Sequence, residues 1–148
     1  MTFAPDEVIE WLTKANRDLM AAEILIDHEP PVLDAACFHC QQAVEKSLKA
    51  FLVWQAVPFE KIHSLTYLMD LCQSREPGFA SLREQAEALT PYAVEVRYPG
   101  ELLDVDRPEA ADALESAQTV WGYVLTIVPA ELHPRKSDTR SEESLKNE

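Results

Sequence analysis

Apolar residues recur along this chain at alternating steps of three and four, the spacing that places side chains on one face of an α-helix. Val8, Leu12, Ala15, Leu19, Ala22 and Ile26 form the first such stripe. Pro5 suits a first helical turn, and Asp6 and Glu7 complement the positive end of the helix dipole. Glu29-Pro30-Pro31 cannot continue a helix, so the first is predicted from about Pro5 to Asp27. A second is predicted from about Leu33 to Ala56, where Cys37, Cys40, Val44, Ser47, Leu48 and Phe51 centre one face. Trp54 lies at the edge of that face and Pro58 just beyond the end.

Ser64 suits the N-cap of a shorter third helix with Leu65, Leu68 and Cys72 facing inward, broken by Glu76-Pro77-Gly78. A fourth stripe runs through Phe79, Leu82, Ala86, Leu89, Ala93 and Val96 and stops at Tyr98-Pro99-Gly100. Pro91 falls inside it, so a kink or a break is expected there. The fifth helix is predicted to start near Pro108 and carry Ala110, Leu114, Ala117, Trp121, Leu125 and Val128 up to Pro129. No stretch alternates with the period of a strand. The pattern implies an all-α, up-and-down bundle of about five helices, the first two antiparallel across a short loop. A length of 148 residues fits one domain. The expected boundaries are 1–130 for the bundle and 131–148 for a polar, disordered tail.

Composition agrees with helices: 47% of residues are hydrophobic and only three are glycine. The formal net charge is −13, and the stretch from Pro129 onward holds only −1 of it. Such a field repels polyanions at long range, so a nucleic-acid ligand would need a local basic pocket. The acidic start Thr2-Phe3-Ala4-Pro5-Asp6-Glu7 does not resemble a secretory leader, and no apolar run is long enough for a membrane span. A soluble, cytoplasmic protein is expected. Three cysteines make an odd count, which argues against a disulfide framework.

The second predicted helix carries unusual polarity for one that must bury a face. His39, Gln42 and Lys46 line one border of its apolar face, where an imidazole and an ammonium can present donors to an anion while their stems pack. Gln41, Glu45 and Lys49 read as ordinary helix surface, with Glu45 and Lys49 in the favourable order for a weak ion pair. Cys37-Phe38-His39-Cys40 contains a CxxC, but both thiols point into the apolar face, and no second CxxC exists to complete a zinc site. Glu101, Asp104, Asp106, Glu109 and Asp112 suit a solvated loop and helix start better than a magnesium site. No glycine-rich phosphate loop is present, and no cofactor or metal is expected.

FHCQQAVEKSLKAFL, with the later IHSLTYLMDL and YAVEVRYPG, resembles the HEPN domain family, and the likeness extends to Trp11 and Arg17-Asp18-Leu19. It covers the chain up to about Val128. The resemblance implies a helical bundle that dimerises. It also implies a nucleotide or RNA ligand and a minimal nucleotidyltransferase as partner in a toxin–antitoxin pair. Ribonucleases of the family pair an arginine with a histidine a turn or two later. Here Arg97 is present, but Tyr98 to Asp104 contain no histidine and the next is His133. The motif is incomplete, which favours a binding module over an enzyme. The resemblance points to Arg97, Tyr98, His39, Gln42, Lys46 and His63 as site residues: charge from Arg97 and Lys46, hydrogen bonds from Gln42, stacking or proton exchange from Tyr98 and the histidines. Two alternatives stay open. One is a metal-independent endoribonuclease using Arg97 with a displaced His39 or His63; the other is a structural dimer with no ligand.

Overall fold

The computed structural model describes residues 4–94, 98–99 and 104–135. Within them the chain forms five α-helices: α1 (Pro5–Asp27), α2 (Leu33–Trp54), α3 (Leu65–Arg75), α4 (Arg83–Glu87) and α5 (Arg107–Ile127). Short 3-10 turns at Pro77–Leu82, Thr90–Tyr92 and Ala130–Leu132 complete it, and there is no strand among the described residues. The sequence expectation of an all-α bundle holds.

The bundle is organised around α2, which is buried along nearly its whole length from Ala36 to Leu52. α1 covers it in antiparallel fashion, so that Asp18 meets His39 and Trp11 meets Lys49. α5 packs against both, and its Trp121 indole donates to the Leu12 carbonyl of α1 at 3.3 Å. At the other end Arg107 reaches the Ile26 carbonyl and the Glu29 carboxylate. α5 is therefore antiparallel to α1 and follows the direction of α2. Phe79 joins the elements across the core, edge-on to Phe51 of α2 at 4.8 Å and to Tyr123 of α5 at 5.0 Å. Such pairs add about 1 kcal/mol beyond the area they bury.

Helix starts follow the expected local chemistry. Ser64 Oγ accepts from the Tyr67 amide and Asp106 Oδ1 from the Glu109 amide. α5 accordingly begins at Arg107, with Pro108 in its first turn. The fourth stripe departs most from a regular helix. It is a 3-10 turn, then the five-residue α4, then a second 3-10 turn holding Pro91, while Val96 lies outside the described residues. Pro91 lacks the amide needed to continue the ladder, so the stripe breaks. Phe79, Leu82, Ala86 and Leu89 nevertheless stay buried, because irregular backbone can present the same face. Arg83 holds this segment to α3, bonding Asp70 at 2.6 Å, Gln73 at 3.1 Å and Glu87 at 2.9 Å. The packed chain runs past residue 130: Leu132 is buried, and the His133 ring sits 2.8 Å from the Val128 carbonyl. Residues 136–148, most of the expected tail, lie outside the described residues.

α2 ends in a Schellman motif. The Val57 amide bonds the Leu52 carbonyl at 2.9 Å and the Ala56 amide bonds the Val53 carbonyl at 3.0 Å. The geometry requires a left-handed residue, and Ala56 supplies it at φ 54°, the one non-glycine with positive φ among the described residues. A Cβ there crowds the following carbonyl, at a cost of roughly 1–2 kcal/mol. Ala56→Gly is expected to stabilise the fold by about 0.5–1 kcal/mol, part of the gain being offset by a freer unfolded chain. Urea unfolding should show the midpoint rising with an unchanged slope; a lower midpoint would disprove the strain.

Candidate functional site

Two carboxylates on the α1–α2 flank gather most of the polar residues of α2. The first is Asp18, an acidic residue at the margin of the apolar stripe of α1 and itself nearly buried. Its Oδ1 lies 2.8 Å from Nδ1 of His39, and its Oδ2 accepts from Lys46 Nζ at 2.6 Å. His39 and Lys46 are separated by seven positions, two turns of α2, so both reach one carboxylate on the facing helix. Their side chains remain partly exposed, whereas that of Asp18 is almost covered. With Nδ1 against the carboxylate, Nε2 is the ring nitrogen left for an outside partner.

The second carboxylate is Glu45, and here the expectation of an ordinary helix surface is corrected. The Glu45 and Lys49 side chains are only 3% and 8% exposed, and Gln41 is fully buried. α1 closes over this row, and the Lys49 ammonium lies 5.4 Å from the centre of the Trp11 ring. Lys49 donates to Glu45 Oε2 at 2.9 Å and Gln41 Nε2 to Glu45 Oε1 at 3.3 Å. His63, just before α3, sets Nδ1 at 3.0 Å from Glu45 Oε2 while its side chain stays 72% exposed. Burial raises the pKa of Glu45, but the hydrogen bonds from His63 and Lys49 and their positive charge outweigh it and hold it below the ordinary carboxylate value. Gln42 extends the chain of bonds by donating to Gln41 Oε1 at 2.7 Å. No buried side-chain nitrogen or oxygen among the described residues is left without a partner.

Of the residues singled out in the sequence, the structure thus brings His39 and Lys46 together through Asp18, and links Gln42 to His63 through Gln41 and Glu45. Tyr98 is 72% exposed, and Arg97 lies outside the described residues. Sequence reasoning quoted Asp18 only as part of a resemblance and missed its role as the anchor. The available signal was an acidic residue beside an apolar stripe.

Other candidates that the sequence raised lie in the core or at a helix start. Cys37, Cys40 and Cys72 are buried free thiols, and burial pushes Cys37 up to about 11 and Cys40 up to about 12. Thiols so far above neutrality carry little thiolate at neutral pH, and the thiolate is the nucleophilic form. In the acidic patch, Asp106 caps α5 and Glu109 accepts from the Tyr92 hydroxyl at 2.7 Å.

Glu45→Gln leaves the Lys49 ammonium buried without its counter-charge, and should destabilise the fold by about 3 kcal/mol. Because the Glu45 carboxyl titrates below its ordinary value in the folded chain, the unfolded chain takes the proton first as pH falls. The stability it contributes is full above the ordinary value near 4.5 and is lost on acidification through the folded value. Urea midpoints measured from neutral pH downward should therefore converge for the two proteins; parallel curves would show that Glu45 is not the group responsible.

The family model described as HEPN domain matches residues 8–127. Among solved structures, the chain is similar to that described as "Crystal Structure of ST0689, an archaeal HEPN homologue". The TM-score is 0.63 at 23% identity, covering 80% of this chain and 95% of that one, a likeness of fold. No curated protein matches the chain. The family model spans α2 to α5, the bonded flank of α2 and α1 from Val8 onward, and the chain belongs to the HEPN domain family.

Proposed function

We propose that this HEPN domain binds a nucleotide or an RNA end through the flank of α2 that carries His39, Gln42 and Lys46. The reading includes His63, Arg97 and Tyr98 as further contacts. It also includes a homodimer and a minimal nucleotidyltransferase as partner in a toxin–antitoxin pair. The observation that carries it is the Asp18 anchor, which fixes a partly exposed imidazole and a partly exposed ammonium beside each other on a strongly acidic chain. Lys46 Nζ and the His39 ring thus stand together as donors for a phosphate, the local arrangement that an anionic ligand needs on a chain whose overall charge repels it. Gln42, between them on α2, supplies an amide for a base edge or a ribose hydroxyl.

The endoribonuclease alternative draws on one specific contact. A carboxylate on Nδ1 is the arrangement that orients a histidine as general base, and His39 has it in Asp18. The missing histidine after Arg97 weighs against it, and binding remains the preferred reading.

The two readings separate in one experiment with a labelled oligoribonucleotide in EDTA, followed by anisotropy and by gel. Binding is expected without cleavage, weakened about tenfold in Lys46→Met and His39→Ala, with a salt slope lower by about one in the lysine variant. Thermal melts would verify that the variants remain folded. No binding by the wild type, or equal binding by all three proteins, would sink the proposal. Cleavage lost in both Arg97→Ala and His39→Ala would establish the ribonuclease instead.

A further inference from the structure

His63 stands at the far rim of the flank that carries Lys46, and its surroundings fix which atom it offers. Around α2, Lys46, Gln42 and Glu45 follow His39 at about 20°, 60° and 120°. Asp18 of α1 holds the His39 edge of this strip, and His63, from the loop before α3, holds the Glu45 edge. The strip is thus rimmed by two different elements, with the partly exposed Lys46 and Gln42 between them.

The loop that carries His63 is pinned. The Tyr67 hydroxyl accepts from the Glu60 amide at 3.0 Å, and Ser64 Oγ accepts from the Tyr67 amide at 3.2 Å. Both Glu45 oxygens lie within 3.1 Å of His63 Nδ1. Glu45 titrates below its ordinary value, so it is an ionised carboxylate that only accepts hydrogen bonds. The proton of a neutral His63 ring must then sit on Nδ1. That leaves Nε2, on a side chain 72% exposed, as an acceptor.

An acceptor at one rim and an ammonium toward the other sort the groups of a nucleotide strand. A phosphate offers only acceptors, so it suits Lys46 and cannot bond the Nε2 of a neutral His63. A ribose 2′-OH donates as well as accepts, lies on the backbone, and occurs in every ribonucleotide whatever its base. Glu45 follows His39 by six positions, about 9 Å along α2, whereas a stacked strand advances about 3.4 Å per nucleotide.

We propose that His63 is the ribose-reading contact of this flank, taking the 2′-OH of an RNA strand whose phosphate, roughly two or three nucleotides away, lies on Lys46. The inference rests on the nucleotide reading above and narrows its ligand to an RNA strand.

The test titrates the full chain with a short labelled RNA, its DNA counterpart, and RNAs that each carry a single 2′-deoxy position, in EDTA. RNA should bind roughly fivefold tighter than DNA, the worth of one hydrogen bond, with the loss traced to one deoxy position. In His63→Ala that penalty should disappear, while Lys46→Met weakens RNA and DNA alike. AMP, too short to reach both rims, should bind wild type and His63→Ala equally. His28→Gln, at a histidine bonded to the Pro30 carbonyl, should change nothing. The deoxy series on the wild type needs no variant, so it decides the point even where His63→Ala loosens the fold. Equal binding of RNA and DNA would overturn the proposal and leave the nucleotide reading intact. So would a penalty that follows base identity, or one undiminished in folded His63→Ala. No binding of RNA, DNA or AMP would sink both.

Discussion

The pairing of Glu45 with Lys49 is the constraint on which this fold turns. α2 is the one helix enclosed by neighbours along most of its length, and it carries both charges in the enclosed part. An unpaired charge there would cost several kcal/mol, a large part of the stability of a small domain. The pair and its Gln41 and His63 hydrogen bonds make the burial tolerable, and the Trp11 ring closes over the ammonium. Removing either partner alone is worse than never having had the pair. The register of α1 on α2 is therefore specified by polar geometry as well as by the apolar stripe.

The same enclosure explains why the accessible polar groups collect on the flank rather than at the centre. Polar groups deep in the α1–α2 seam spend their hydrogen bonds on each other. Those at its margin, His39 and Lys46, are held by Asp18 yet keep contact with solvent. A buried carboxylate with exposed cationic partners combines a rigid anchor with accessible donors, which is the arrangement a recognition site needs. His63 repeats the pattern on Glu45 with still greater exposure.

Much of this was legible in the chain alone. The stripe from Val8 to Ala22, the Pro5 start and the Glu29-Pro30-Pro31 stop place α1 at its observed ends, because an isolated helix boundary depends on local backbone chemistry. Ser64 as a cap and the inward thiols follow from equally local rules. The resemblance carried by FHCQQAVEKSLKAFL led to the family that the comparison supports. The stripe from Phe79 onward was seen as apolar and as kinked or broken at Pro91, but not as opening in a 3-10 turn, since periodicity reports which residues face inward and not whether the backbone between them is helical.

The sequence by itself determined where helices form, which faces are apolar, the acidic balance of the chain and the absence of a histidine between Arg97 and His133. Only the tertiary structure decided which polar groups are buried and which partner each one finds. Glu45 and Lys49 look like a surface pair at i and i+4, and they are buried because Trp11, thirty-eight positions away from Lys49, folds over them. Asp18 looks like one acid among twenty-six, and it becomes an anchor because antiparallel packing brings His39 and Lys46 to it from α2. Burial and pairing are properties of contacts between distant segments, and a pattern read along one segment does not contain them.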